Sequence, residues 1–191
     1  LVAREFDINV KSYGFDTGKG MPEPLDYRDL PYVWRGEQYK MNVDDLKRKL
    51  RISQLKLGYI EDTVPEFIKS LEESCLIGFI SVDVDYYSST IDVLKILGDG
   101  QGKYCLPRTL IYFDDITSTD IRYMCEDIGE LHAIKEWNQK YPSRKIRKIY
   151  GFRLRRNKPS LWNEQMYVCH TFSNPLYNAY IDWIKNKQRP L

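Results

Sequence analysis

Leu76-Ile77-Gly78-Phe79-Ile80-Ser81-Val82-Asp83-Val84-Asp85 and Thr109-Leu110-Ile111-Tyr112-Phe113-Asp114-Asp115 decide how this chain folds. Each is a short apolar run rich in β-branched and aromatic residues, too short for a helix of that hydrophobicity, and each stops at acidic residues. Such runs read as buried parallel strands. In an open α/β sheet, ligands sit just beyond the carboxyl ends of the strands, so the pattern aims Asp83, Asp85, Asp114 and Asp115 at one crevice. Four carboxylates there repel one another unless a cation or a bound proton offsets them.

Working outward, Ser88, Ser89 or Thr90 can cap a helix whose face is Ile91, Leu94 and Leu97, and Gly98 to Gly102 is a flexible connection. Pro107 precedes the second strand. Thr117-Ser118-Thr119-Asp120 offers caps for a long helix with Ile121, Met124, Cys125, Ile128, Leu131 and Ile134 on its apolar face. Strand, helix, strand, helix in this order implies right-handed βαβ units and a parallel sheet. Upstream, residues 8–15 predict a strand ending at Asp16, followed by a Gly- and Pro-rich loop over 17–24 and a long aromatic loop over 27–39, placed where lids and binding loops occur. A helix capped by Asn42 or Asp44, a strand over 53–60 closing at Glu61-Asp62-Thr63, and a helix over 66–74 opened by Pro65 complete that half.

Downstream, residues 145–154 and 165–172 alternate polar with apolar around a polar turn, which predicts an antiparallel hairpin added to one sheet edge. Residues 175–187 read as a short amphipathic helix, and Leu1 to Phe6 as the tail of a helix whose beginning is absent. The 191 residues, 42% hydrophobic and 14% aromatic, suffice for one core and a single α/β domain over 1–191.

The net charge of +2 gives no whole-molecule affinity for nucleic acid or membrane, yet it is unevenly spread. Residues 61–130 carry fifteen acids against five bases, and residues 135–158 ten bases against one acid. Two solvated faces that attract each other account for this better than a nucleic-acid site, because the basic block contains no recognisable binding motif. Cys75, Cys105, Cys125 and Cys169 are widely spaced without a CxxC pair, so they read as reduced thiols of a cytoplasmic protein. No run reaches membrane-spanning length and no signal peptide is visible.

Gly14-Phe15-Asp16 leading into Gly20-Met21-Pro22-Glu23-Pro24, then Glu61-Asp62-Thr63-Val64-Pro65, then Asp83-Val84-Asp85-Tyr86-Tyr87-Ser88-Ser89-Thr90, then Phe113-Asp114-Asp115 together resemble the macrocin O-methyltransferase family of natural-product biosynthesis. The resemblance implies a Rossmann-like class I methyltransferase sheet, mostly parallel with an antiparallel C-terminal hairpin, using S-adenosylmethionine and magnesium or another divalent cation. It implies that Asp16 holds the cofactor's ribose hydroxyls, that Asp62 faces its adenine, and that Asp83, Asp114 and Asp115 hold the metal. Asp83 would also take the proton from the acceptor hydroxyl. The acceptor would be a small hydroxylated molecule such as a sugar, polyketide or phenol; a homo-oligomer is left open.

The chain departs from that family in three places. The first strand and its glycine-rich turn are missing before Asp16, which fits an N-terminally truncated domain. Ile116 stands where tyrosine is common, and Gly18-Lys19 replaces an aromatic-acidic pair. Two other readings stay open: a metal-dependent nucleotide-sugar glycosyltransferase, from Asp83-Val84-Asp85, and a non-catalytic methyltransferase-like interaction module. An aspartyl phosphatase fits less well, because its Asp-x-Asp normally opens the chain. Strand-terminal aspartates also serve as caps, the reading preferred for Asp85 over that of a second metal ligand. Tyr86 and Tyr87 read as packing or cofactor-stacking residues, His132 as a surface residue, and His170 as a structural histidine.

Overall fold

The computed structural model describes residues 9–50, 52–98, 102–117, 124–155 and 157–180. The predicted helix tail at the start, most of the glycine-rich connection after Gly98, the caps 118–120 with Ile121, and residues 181–187 of the last predicted helix lie outside them.

Among the described residues six strands form two sheets. β1 (Ser12–Asp16) and β2 (Ser53–Leu57) pair in parallel, with Asp16 opposite Leu57. β3 (Ile77–Val82), β4 (Cys105–Phe113), β5 (Arg144–Lys148) and β6 (Met166–Thr171) form the second sheet in the order β3-β4-β6-β5. β3 and β4 are parallel, and the chain's last strand slips antiparallel between β4 and β5. The predicted hairpin at the sheet edge is thus present, with β6 inside and β5 outermost. Four helices cover the strands: α1 (Val43–Lys49), α2 (Ile60–Lys69), α3 (Tyr87–Gly98) and α4 (Gly129–Lys140); a one-turn α5 (Trp162–Gln165) leads into β6.

The core lies between the second sheet and α2, α3 and α4, where Val64, Leu94, Leu97, Ile111, Phe113 and Ile146 are almost wholly enclosed. Fully burying an aliphatic or aromatic side chain of this kind contributes roughly 1.5–3 kcal/mol. The β1-β2 pair joins this core through Phe67 of α2, whose ring meets Tyr13 at 4.9 Å and Phe15 at 5.2 Å. Offset and edge-on ring contacts of that kind favour a fixed orientation as well as burial.

Several boundaries differ from the sequence pattern, each for a local reason. Pro65 lies inside α2 rather than in its first turn, since the helix begins at Ile60. Pro107 lies inside β4, whose register against β3 shifts between Ile77 and Phe79. A proline has no N–H for the ladder, and such an irregularity accommodates it. The long helix predicted from Ile121 begins only at Gly129, so Met124, Cys125 and Ile128 precede it. Gly129 has φ +54°, and Ile128 before it is extended, so the chain turns there instead of continuing a helix. The second run of the hairpin's first arm is not strand: β5 stops at Lys148, and Phe152–Arg155 is a 3-10 turn.

Among the described residues one ion pair joins the two charge blocks, Lys135 to Asp127 at 2.6 Å, while Lys148 pairs with Glu164 beyond both. All four cysteines are free, with Cys105 and Cys169 buried. Among the described residues no helix is long and apolar enough to cross a membrane.

Candidate functional site: an acidic crevice at the strand ends

The carboxyl ends of β1, β3 and β4 open into one crevice of about 490 Å³. Among the described residues five aspartates line it (Asp16, Asp83, Asp85, Asp114 and Asp115), and no lysine, arginine or histidine does. Further lining comes from Met21 and Pro22 of the Gly- and Pro-rich loop and Trp34 and Tyr39 of the aromatic loop that follows it. That loop is not free to swing. Tyr86, fully buried, donates its hydroxyl to Pro22 O at 3.1 Å. Asp29 is 1% exposed and accepts from Leu25 N, Ser88 N and Ser88 Oγ, each at 2.9 Å. Asp29 therefore does what a helix cap does for α3, from fifty-nine residues away.

Because Asp29 serves that N-terminus, Asp85 does not, contrary to the capping role preferred from the sequence. Asp85 has φ +57°, and Tyr86 N–H bonds Val84 O at 2.5 Å across it, a three-residue turn with a left-handed centre. Such turns are strained and persist where the surrounding structure holds them, most often at functional sites. The turn carries the Asp85 carboxyl into the crevice and its N–H onto Asp115 Oδ2 at 3.1 Å.

Asp83, Asp114 and Asp115 each bring a carboxylate oxygen to within 4.8 Å of the others. Asp114 is placed by the β3–β4 pairing, its N–H bonding Val82 O at 3.0 Å. One of its oxygens takes the Tyr112 hydroxyl, and its carbonyl takes Gln165 Nε2 at 2.5 Å. Behind Asp115 stands Glu130, fully enclosed in the first turn of α4, whose Oε2 accepts Asp115 N–H at 3.0 Å while Oε1 has no partner among the described residues. Nothing in the pattern of residues singles out Asp29, Glu130 or Gln165: each is an ordinary polar residue in a loop or helix turn, and only the fold buries it.

Crowding shows in the proton affinities. Burial first, and the charge of Asp114 second, raises the pKa of Asp83. Burial likewise lifts Asp85, with a side-chain hydrogen bond to Asp115 opposing it and the charges of Asp83 and Asp114 adding to it; Asp115 is lifted further, by burial and then by the Asp85 charge. Glu130 rises well above an ordinary glutamate, through burial and then the Asp115 charge. Without a cation, this site holds protons that ordinary carboxyls release.

The remaining predicted residues separate. Asp16 lines the crevice, with Oδ1 accepting Gly18 N–H at 2.5 Å, so it shapes its own turn and leaves its second oxygen for a ligand. Asp62 is exposed in the first turn of α2 and rims a neighbouring hollow of about 440 Å³, beside Gly58 and Tyr59 at the end of β2. The two hollows share Thr17. Tyr87 donates to Glu136 at 2.5 Å and carries Arg28 over its ring, and His132 pairs with the same glutamate, so these residues fasten the loop. His170 meets the Tyr177 hydroxyl at 2.7 Å on β6.

No family model matches the chain, and no curated protein matches it in sequence. Among solved structures it is similar to calicheamicin methyltransferase CalS11 (18% identity, TM-score 0.56, covering 86% of this chain and 61% of that one). It is also similar to the O-methyltransferase NovP (12% identity, TM-score 0.56, covering 88% and 63%). The chain shares the fold of these two proteins. In it β1 pairs with β2 and β3 with β4 in parallel, and β6 and β5 form the antiparallel end. The chain spans about three fifths of the length of these two structures.

Proposed function

We propose that the chain is the catalytic part of an S-adenosylmethionine-dependent O-methyltransferase that uses magnesium, or a similar divalent cation, on a small hydroxylated acceptor. The observation that carries this reading is the convergence of Asp83, Asp114 and Asp115 in a crevice of methyltransferase-like architecture. Hard carboxylate oxygens suit magnesium or a similar divalent cation, which fills its remaining positions with water and substrate oxygens. The fit is supported by Asp114, one oxygen of which is occupied by Tyr112 while the other stays available. A bound cation would lower the pKa of an acceptor hydroxyl and orient it.

The chain's own residues supply the rest. Asp16 at the end of β1, with Phe15 and Ile60 as apolar wall, would take the cofactor's ribose edge, and Asp62 would face the adenine from the adjoining hollow. A carboxylate committed to a cation is a poor proton acceptor. We therefore assign deprotonation of the acceptor to Asp85 in place of Asp83, since Asp85 reaches the crevice outside the three-ligand group and burial strengthens its hold on a proton. Trp34, Tyr39 and Met21 would exclude water and align the acceptor; methyl transfer is an in-line displacement in which alignment is worth much of the rate.

The deciding experiment is a calorimetric titration of the protein with S-adenosylmethionine, and separately with magnesium, beside Asp83→Ala and Asp114→Ala. Cofactor binding by all three and magnesium binding by the parent alone is the expected result. Failure of the full-length parent to bind the cofactor would overturn the reading.

A further inference from the structure

We propose that Gln165, together with Tyr112, is a positioning residue that fixes which oxygen of Asp114 faces the cation site; the inference rests on the metal reading above. The β4–β6 ladder brings them together. Tyr112 pairs with Met166 in register, so Gln165, immediately before Met166, arrives beside the end of β4, where Asp114 begins the acidic turn. Gln165 is 3% exposed and Asn163 of the same short helix 2%. The helix is pinned on both sides, by Ser160 N–H donating to Asn163 Oδ1 at 3.1 Å and by Glu164 pairing with Lys148.

From that anchored turn, Gln165 Nε2 donates to the Asp114 carbonyl at 2.5 Å and lies 3.5 Å from its Oδ1. The Tyr112 hydroxyl has one proton, and it goes to the same Oδ1, with Gln165 Oε1 3.3 Å from the hydroxyl oxygen. The amide orientation is fixed by this pattern: reversed, it would set a carbonyl oxygen against the carbonyl and carboxylate of Asp114. Both donors meet one oxygen, so Oδ2 is left for the crevice and Asp114 acts as a one-oxygen ligand. Outer partners that orient ligating carboxylates commonly change metal affinity 10- to 100-fold when removed. Without Gln165 and Tyr112, Asp114 could rotate about its side-chain bonds, and the three-ligand group would be preformed only part of the time.

A purely structural Gln165, filling a buried polar gap, predicts something different: lower stability and unaltered metal affinity. The test is a titration of the cation-free protein with manganese alone, followed by calorimetry and by the paramagnetic signal of free manganese. Parent, Gln165→Leu, Tyr112→Phe and Asp114→Ala are compared, each with its melting temperature recorded before metal is added. Tyr112→Phe removes one oxygen and keeps the ring, so it carries the test should Gln165→Leu fail to fold. The expected result is a dissociation constant raised 10- to 100-fold in Tyr112→Phe and Gln165→Leu, with binding abolished in Asp114→Ala. Parent-like affinity in the first two with loss in Asp114→Ala would overturn the positioning role and leave the cation site standing. No binding by the parent would overturn both.

Discussion

Asp85 concentrates the chemistry of the site into one residue. A left-handed backbone is costly for most side chains, but aspartate and asparagine tolerate it, so Asp85→Asn keeps the turn and removes the base. If Asp85 takes the acceptor's proton, this variant should lose roughly 10²- to 10⁴-fold in kcat. Cofactor binding should persist in this variant, so that the loss falls on kcat. A kcat close to the parent's, measured with saturating cofactor, would move the base elsewhere. The turn explains why the sequence favoured a cap here: an aspartate two residues before a helix looks like one, and only the competing Asp29 shows that the post is taken.

At the level of elements, the aromatic loop and α3 form one unit through Asp29. Replacing a capping side chain by alanine costs about 1–2 kcal/mol, and Asp29 also accepts from Leu25 within the loop, so Asp29→Ala should lie at the upper end of that range. For a chain of this size, each kcal/mol lowers the melting temperature by about 2–4 °C. The same variant should become sensitive to limited proteolysis within residues 21–40, because its strongest tether is gone; resistance equal to the parent's would show that Tyr86 and Arg28 suffice. Strands and helices were readable where apolar spacing alone decides them, as in β3 and α3. Pro107 and Gly129 show where that fails: a proline can be absorbed by a register shift, and a glycine's positive φ can end an apparent helical face. The three acids of the cation group were readable because a strand that ends in aspartate fixes both position and direction. Glu130 and Gln165 were not, because their burial depends on partners fifteen and fifty-one residues away.

For the molecule as a whole, the acidic crevice trades stability for readiness to bind. Asp85, Asp115 and Glu130 have folded pKa values above their unfolded ones, so the folded state holds the extra protons. For acids raised in this way, stability is greatest below the unfolded pKa of about 4 and is lost as pH climbs toward the folded values, about 8 for Asp115. Glu37, Asp127 and Glu164 are shifted downward and complete their contribution below pH 5. His170, whose proton affinity burial lowers, works the other way near pH 6.5. The cation-free protein should therefore melt at falling temperature from pH 5 to 8, with a shallower slope in Asp115→Asn, whose amide cannot charge. Identical slopes in the two proteins would contradict this origin. Saturating magnesium at about 100 times its dissociation constant should restore about 2.7 kcal/mol to the parent at pH 8.

The insertion of β6 between β4 and β5 also sets an order in time. On a ribosome, β4 and its aspartates emerge more than fifty residues before Gln165 and the strand that flanks them. Until then β4 has an open edge and Asp114 lacks one of its two clamps, so a nascent chain carries the acids but not the finished site. Competence to hold a cation would appear late and abruptly, when β6 zips into the gap between β4 and β5.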